Sequence, residues 1–110
     1  MTVEELVKNY AAGIRKFRYV NLGGYDLSGT NQSGADLTGA SLGGTDLSGA
    51  NLSGANLTGA LMSYSNLRDA DLTDTDLRGS ILKRADLSGA NLTGTKLTGA
   101  ILTEVKGYHP

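Results

Sequence analysis

The sequence predicts an all-β solenoid, because nearly the whole chain repeats with a period of five residues. The central residue of each repeat, position i, falls at every fifth residue from Phe17 to Leu102, and 15 of the 17 positions from Leu22 onward are Leu. From Thr30 to Ala100, position i−2 is always Ala, Thr or Ser, and Gly occupies position i+2 in 12 of 17 repeats. Neither the 3.6-residue period of a helix nor the two-residue period of a simple strand gives this spacing.

Each repeat predicts a short extended segment followed by a corner. Positions i−2 and i share one face of a strand, so a small residue and a Leu point inward while the intervening Asp or Asn points outward. The Gly then permits the positive φ that a tight corner needs. A chain that turns every five residues winds into a coil whose successive turns are hydrogen-bonded at a spacing of about 4.7–4.9 Å.

Three aliphatic residues favour four repeats per coil. Leu61, Ile81 and Ile101 are the apolar residues at position i−1, and they are spaced by 20. About one random arrangement in thirty would place all three in one column of a four-sided coil. The spacing therefore predicts coils of 20 residues.

At this point the repeats Ala35-Asp36-Leu37-Thr38-Gly39 and Ala50-Asn51-Leu52-Ser53-Gly54 resemble the pentapeptide-repeat family. The resemblance covers about residues 17–104. It implies a right-handed quadrilateral parallel β-helix with four pentapeptides per coil, and therefore about four coils in this chain. The stretch from Leu6 to Phe17, with its Tyr-Ala-Ala-Gly segment, is also similar to the short helical caps of cyanobacterial members.

Four inward ladders are expected to form the core. Each buried Leu stabilises the fold by roughly 1.5–3 kcal/mol relative to an exposed one. Gln32 interrupts one ladder with a polar side chain. The predicted core residues are Phe17, Leu22, Leu27, Leu37, Leu42, Leu47, Leu52, Leu57, Met62, Leu67, Leu72, Leu77, Leu82, Leu87, Leu92, Leu97 and Leu102.

The N-terminal residues predict a short amphipathic α-helix that caps the first coil. Thr2 and Glu5 have the spacing of a capping box, and Gly13 is expected to end the helix at about Ala12. The apolar residues that follow helical spacing are Val3, Leu6, Val7, Tyr10, Ala11 and Ile14. This stripe is expected to cover the top of the first coil, where Val20, Tyr25 and Gln32 are predicted to point inward.

The predicted organisation is a capping helix over residues 1–14, a β-helix over 15–104 and a tail over 105–110. The tail leaves two alternatives open for the last coil. Either it folds across the open core with Tyr108 as the cover, or that end of the solenoid is where another copy or partner docks.

Composition offers little for catalysis or ligand binding. The formal charge is −1, and the chain has no Cys and one His, His109, in the tail. This excludes thiol catalysis and the basic field that nucleic-acid binding needs. The acidic run from Asp69 to Asp76 is interpreted as ion-paired surface, because Asp71 and Asp76 belong to successive sides of the coil. We therefore expect no catalytic, cofactor-binding or metal-binding residues, and the chain is predicted not to be an enzyme.

One outward surface departs from the repeat. The aliphatic strip Leu61, Ile81 and Ile101 is either an interface or a ladder that stabilises the sheet beneath it. The candidate interface consists of this strip with the rim residues Tyr64 and Arg84 and the tail residue Tyr108, and Glu104 falls in the same i+2 column as the rim.

These observations predict a non-enzymatic structural or protein-interaction module whose partner is itself or another protein. A homodimer would use the C-terminal coil or the apolar strip. The alternative comes from the family resemblance, since some members are thought to mimic DNA and bind DNA gyrase. Residues 17–104 carry nine acidic and six basic residues, a net charge of −3, whereas a duplex of the same ~21 Å would carry about 12 negative charges. No membrane contact is expected, and the location is predicted to be cytoplasmic.

Overall fold

Parallel pairing between residues 20 apart organises the chain. The computed structural model describes residues 1–109 and contains one helix, α1, at Val3–Ala11. After α1, 15 isolated parallel β-bridges join each coil to the next, from the bridge Lys16↔Asp36 to the bridge Asp86↔Lys106. Every bridge spans 20 residues, so the strands are single bridge positions separated by turns rather than continuous segments.

The corners are β-turns that begin at the inward Leu. In the repeat at Leu37, for example, the Ala40 N–H donates to the Leu37 carbonyl at 3.0 Å, and Gly39 lies between them with φ +66°. A β-turn with positive φ at its third residue favours Gly there, which explains the glycine of the repeat. Within residues 1–109, six non-glycine residues also hold a positive φ: Tyr19, Tyr64, Asp69, Asp74, Arg84 and Glu104.

The outward Asp and Asn side chains fold back onto their own turns. The Asp36 Oδ1 accepts hydrogen bonds from the Thr38 N–H at 3.2 Å and from the Thr38 hydroxyl at 2.6 Å. Asn51 makes the same pair of bonds with Ser53. The repeat therefore uses Asp or Asn followed two residues later by Ser or Thr because the side chains satisfy backbone donors at the corner.

The core lies inside the coil and consists of the inward Leu ladders with the small residues between them. The predicted core residues from Phe17 to Leu87 are all buried, each at most 2% exposed. Leu92, Leu97 and Leu102 are only half-buried, which differs from the expectation of full burial because they belong to the last coil.

Helix α1 has the predicted capping box but packs with a narrower face than its sequence suggested. The Glu5 N–H donates to the Thr2 hydroxyl, and the Thr2 N–H donates to the Glu5 carboxylate, both at 3.1 Å. Leu6 is buried in the core cluster, and Val3 and Tyr10, one turn away on either side, are half-buried against it. The remaining stripe residues Val7, Ala11 and Ile14 are exposed, because the contact with the coil follows only this line.

The first coil departs from expectation at one residue. Val20 is half-buried and Gln32 is buried, but Tyr25 is 40% exposed, so the inward placement predicted for it is wrong. Position i−2 elsewhere holds Ala, Ser or Thr, and a phenol ring is too large for that space. Among residues 1–109, no helix is both long and apolar enough to cross a bilayer.

Candidate interaction surface

The aliphatic strip forms one continuous ladder on the outside of the coil. Leu61 bridges to Ile81, and Ile81 bridges to Ile101, so the three side chains stack on successive coils. Leu61 and Ile101 are each 47% exposed, and Ile81 between them is half-buried. Above the strip, the same column holds the polar Asn21 and Ser41, which confines the apolar surface to the C-terminal half of this side.

The rim beside the strip is a stack of three interacting side chains. The Arg84 Nε donates to the Glu104 Oε2 at 2.6 Å, and the Arg84 guanidinium carbon lies 5.8 Å from the centre of the Tyr64 ring. Arg84 therefore makes a charge-assisted hydrogen bond downward and a cation–π contact upward. The structure brings the strip and this rim together on one side of the coil.

The rim residues occupy corners where the repeat normally has glycine. Tyr64, Arg84 and Glu104 hold φ values of 62°, 58° and 57°. A left-handed conformation costs a non-glycine residue roughly 1–2 kcal/mol. Sequence reasoning missed this strain, although the departures from Gly at position i+2 were visible. Side chains kept in strained conformations are a marker of functional surfaces.

Tyr108 does not join this surface. It follows Lys106, which bridges to Asp86, so the tail runs along the next side of the coil. Its side chain is half-buried and packs against the core cluster together with Val105. Tyr108 thus contacts the last coil, as the first alternative for the tail requires.

The acidic side chains elsewhere are largely paired with arginine. Arg18 binds Asp36 at 2.5 Å, Arg68 binds Asp86 at 2.8 Å and Arg78 binds Asp76 at 2.7 Å; these are the ion pairs. The Ser88 hydroxyl and N–H, with the Arg68 guanidinium, lower the pKa of Asp86 to about 2. The Arg78 guanidinium lowers the pKa of Asp76, and the Thr38 hydroxyl and Arg18 lower that of Asp36.

The structure shows no constellation suited to catalysis or metal binding in the part of the chain that it describes. Asp69 and Asp74 occupy separate corners, where each carboxylate lies over a glycine of the next coil, Gly89 and Gly94 respectively. Residues 1–109 contain no group of three metal-ligating side chains and no cavity for a small ligand. His109 is exposed on the tail.

Comparison with known proteins places this coil in a family. The profile described as pentapeptide repeats matches in eight copies over residues 16–54, 33–63, 50–89 and 65–104. The chain belongs to the pentapeptide repeat family. Pentapeptide repeat proteins fold as right-handed quadrilateral β-helices, which agrees with the bridges between residues 20 apart.

Three solved pentapeptide repeat proteins are similar to the chain. A protein from Nostoc Pcc 7120 is 46% identical, with 87% of this chain and 75% of that one covered and a TM-score of 0.52. A protein from the thylakoid lumen of Arabidopsis thaliana is 34% identical over 76% of this chain and 65% of its own, with a TM-score of 0.52. Rfr23 from the cyanobacterium Cyanothece 51142 is 28% identical over 84% and 64%, also with a TM-score of 0.52. The chain thus spans slightly less than two thirds of the latter two, and no curated protein matches it.

Proposed function

We propose that this pentapeptide repeat protein is a non-enzymatic protein-interaction module. Its scaffold is a β-helix of about four coils over residues 15–104, capped by α1 over residues 1–14 and followed by a tail over 105–110. Its binding surface is the strip Leu61, Ile81 and Ile101 with the adjoining rim. A rigid coil suits this role, because its outward side chains are fixed at regular spacing while the core stays unchanged.

The observation that carries the proposal is the strained rim beside exposed aliphatic side chains. Arg84 keeps a conformation that Gly would adopt without cost, and it uses its guanidinium to contact both Tyr64 and Glu104. Exposed aliphatic residues beside Tyr and Arg have the composition of a binding hot spot. The surface suits a protein partner that offers an apolar patch bordered by a carboxylate, since Lys83 and Arg84 both lie beside the strip.

The test replaces the strip with the residue that the repeat itself prefers. The Ile81→Asn/Ile101→Asn variant should stay folded, because Asn occupies position i−1 in many repeats. Asn51→Ser/Asn91→Ser on the opposite side is the matched control. A partner captured by cross-linking with the natural chain is purified, and its Kd is measured against all three proteins. Loss of at least about tenfold in affinity with the isoleucine variant alone supports the surface. Equal binding by a folded isoleucine variant excludes it, and unfolding of that variant makes the strip structural.

Mimicry of DNA is the weaker alternative. It would require a dense field of free carboxylates, yet Asp36, Asp76 and Asp86 each pair with an arginine. We expect no inhibition of DNA gyrase supercoiling even at high protein concentration. Inhibition that fades when Asp36, Asp46 and Asp76 are changed to Asn would instead favour the mimic. The cytoplasmic location stays a prediction.

A further inference from the structure

Lysine occupies the outward position i−1 only at the two ends of the coil. The residues at this position are Asp, Asn, Ser, Leu or Ile throughout the interior, and they become lysine at Lys16, Lys96 and Lys106. Lys16 belongs to the first bridge, and Lys106 belongs to the last bridge. Lysine on an exposed strand edge opposes pairing with another chain. The pattern therefore marks the ends of this coil as edges with a tendency to pair.

The backbone around Ile101 presents such an edge. Ile101 itself is fully paired with the coil above, since its N–H donates to Ser80 and its carbonyl accepts from Leu82. One coil lower than those two partners, the Ala100 carbonyl and the Leu102 N–H have no partner among residues 1–109. By the same geometry they point away from the coil, toward the C-terminal end. The coil stops at Lys106, because Gly107 stands where the next inward residue would be and turns away with φ +76°.

We propose that the C-terminal edge at Ile101 pairs antiparallel with the same edge of a second copy of this chain. Rotation by 180° about an axis through Ile101 places each Leu102 N–H opposite the Ala100 carbonyl of the other copy. This exchange of two hydrogen bonds around facing residues is the normal antiparallel pattern. The two aliphatic strips then join end to end into one strip of six side chains.

The opposite end of the coil does not offer a competing surface. Leu6 of α1 is buried in the core cluster, and the Tyr10 hydroxyl donates to the Ser33 carbonyl of the first coil at 2.6 Å. Helix α1 therefore lies over the N-terminal edge and obstructs head-to-tail stacking. An interface formed by two identical edges closes on itself, so the product is a dimer and not a fibre.

The two lysines set the strength of this pairing. Along the chain, the sides of Lys96, Ile101 and Lys106 follow one another at intervals of five residues. The two-fold rotation exchanges the flanking sides, so Lys96 of one copy faces Lys106 of the other. Both lysines are exposed, and their repulsion is screened by salt. The dimer is therefore weak at low ionic strength and strengthens as salt is added.

The experiment measures mass by light scattering over a concentration series at about 0.01 M and about 1 M salt, where the Debye length falls from about 30 Å to about 3 Å. Added salt should lower the dimer Kd of the natural chain. Lys96→Asn/Lys106→Asn should lower the Kd at low salt by about tenfold and remove most of the salt dependence. Lys8→Asn/Lys83→Asn loses the same charge away from the edge and should leave the Kd unchanged.

Two further variants, made in the Lys96→Asn/Lys106→Asn background, separate the edge from the strip. Ile101→Lys should restore the monomer, whereas Leu61→Lys, two coils away on the same strip, should leave the dimer intact. Slower hydrogen exchange at the Leu102 amide in the dimer supports edge pairing. The proposal is wrong if the folded Lys96→Asn/Lys106→Asn variant stays monomeric at both salt concentrations, if Lys8→Asn/Lys83→Asn dimerises equally, or if Leu61→Lys dissociates the dimer.

Discussion

The ring of Tyr19 occupies the space in which a side chain on Gly39 would begin. A Cβ at residue 39 would come within 2.4 Å of the Tyr19 Cε1, one coil above. Gly49 has nearly the same backbone, with φ +65° against +66°, but a Cβ there would meet nothing within 4 Å. The two glycines separate the cost of the backbone conformation from the cost of the contact.

Gly39→Ala should destabilise the fold more than Gly49→Ala. Both variants place alanine in a left-handed conformation, which costs roughly 1–2 kcal/mol. Gly39→Ala must also displace the Tyr19 ring, for about 0.5–1.5 kcal/mol more. Urea unfolding gives the two free energies. Adding Tyr19→Ala to Gly39→Ala should bring its cost down to that of Gly49→Ala, and no such rescue would mean that the ring does not hold this position in solution.

Gln32→Leu should stabilise the protein. Gln32 is 1% exposed, its Nε2 donates to the Thr30 hydroxyl at 2.8 Å, and its Oε1 has no partner among residues 1–109. An unsatisfied buried acceptor costs about 1–3 kcal/mol, and Leu would extend the ladder that continues at Leu52. We expect a gain of about 1–2 kcal/mol in the free energy of unfolding. Leu52→Gln is the reverse control, and a loss of stability in Gln32→Leu would show that the amide oxygen is well paired.

Acid should weaken the fold between about pH 4 and pH 2. The pKa of Asp86 is lowered from 3.8 to about 2 by Ser88 and Arg68, so within this range the unfolded chain binds more protons than the folded one. The resulting stabilisation is present above the unfolded pKa and is lost as the pH falls through the folded one. Asp86→Asn keeps an acceptor for the Ser88 N–H and should flatten the pH dependence of the unfolding free energy. An unchanged profile would contradict this assignment.

Glycine in the rim should stabilise the coil while weakening binding. Tyr64→Gly and Arg84→Gly each relieve a positive φ, for a gain of about 0.5–1 kcal/mol per site. The contacts that they remove are exposed and contribute little to folding. Thermal unfolding tests the gain, and the partner's Kd tests the loss. Gly44→Tyr, in the same column two repeats of pairing above, is the reverse control and should lower stability. A stability loss with Tyr64→Gly would make the rim structural.

Periodicity made the coil predictable, but it gave less information about its ends. The 20-residue spacing of Leu61, Ile81 and Ile101 in the sequence corresponds to direct bridges in the structure. The capping box of α1 was likewise visible, because it depends on two residues three apart.

The ends depend on which surfaces meet, and a repeat pattern does not encode this. Val7 and Ile14 follow helical spacing, yet they lie beside the line of contact and stay exposed. The ring of Tyr25 turned outward because the position is too small for it. In the candidate site, the strip was predictable from its departure from Asp and Asn. The strain at Arg84 required the backbone angles.

The constant interval between bridge partners also constrains how the gene of such a protein changes in length. Deletion of one pentapeptide between Ile81 and Ile101 would move Ile101 into the register of Lys96, opposite Asp76, and would shift every later residue to a different side of the coil. Duplication of 20 residues would add a coil and keep every column intact. Insertions and deletions that preserve the outer surface therefore come in steps of 20 residues, and shorter ones redistribute the surface while leaving the core unchanged.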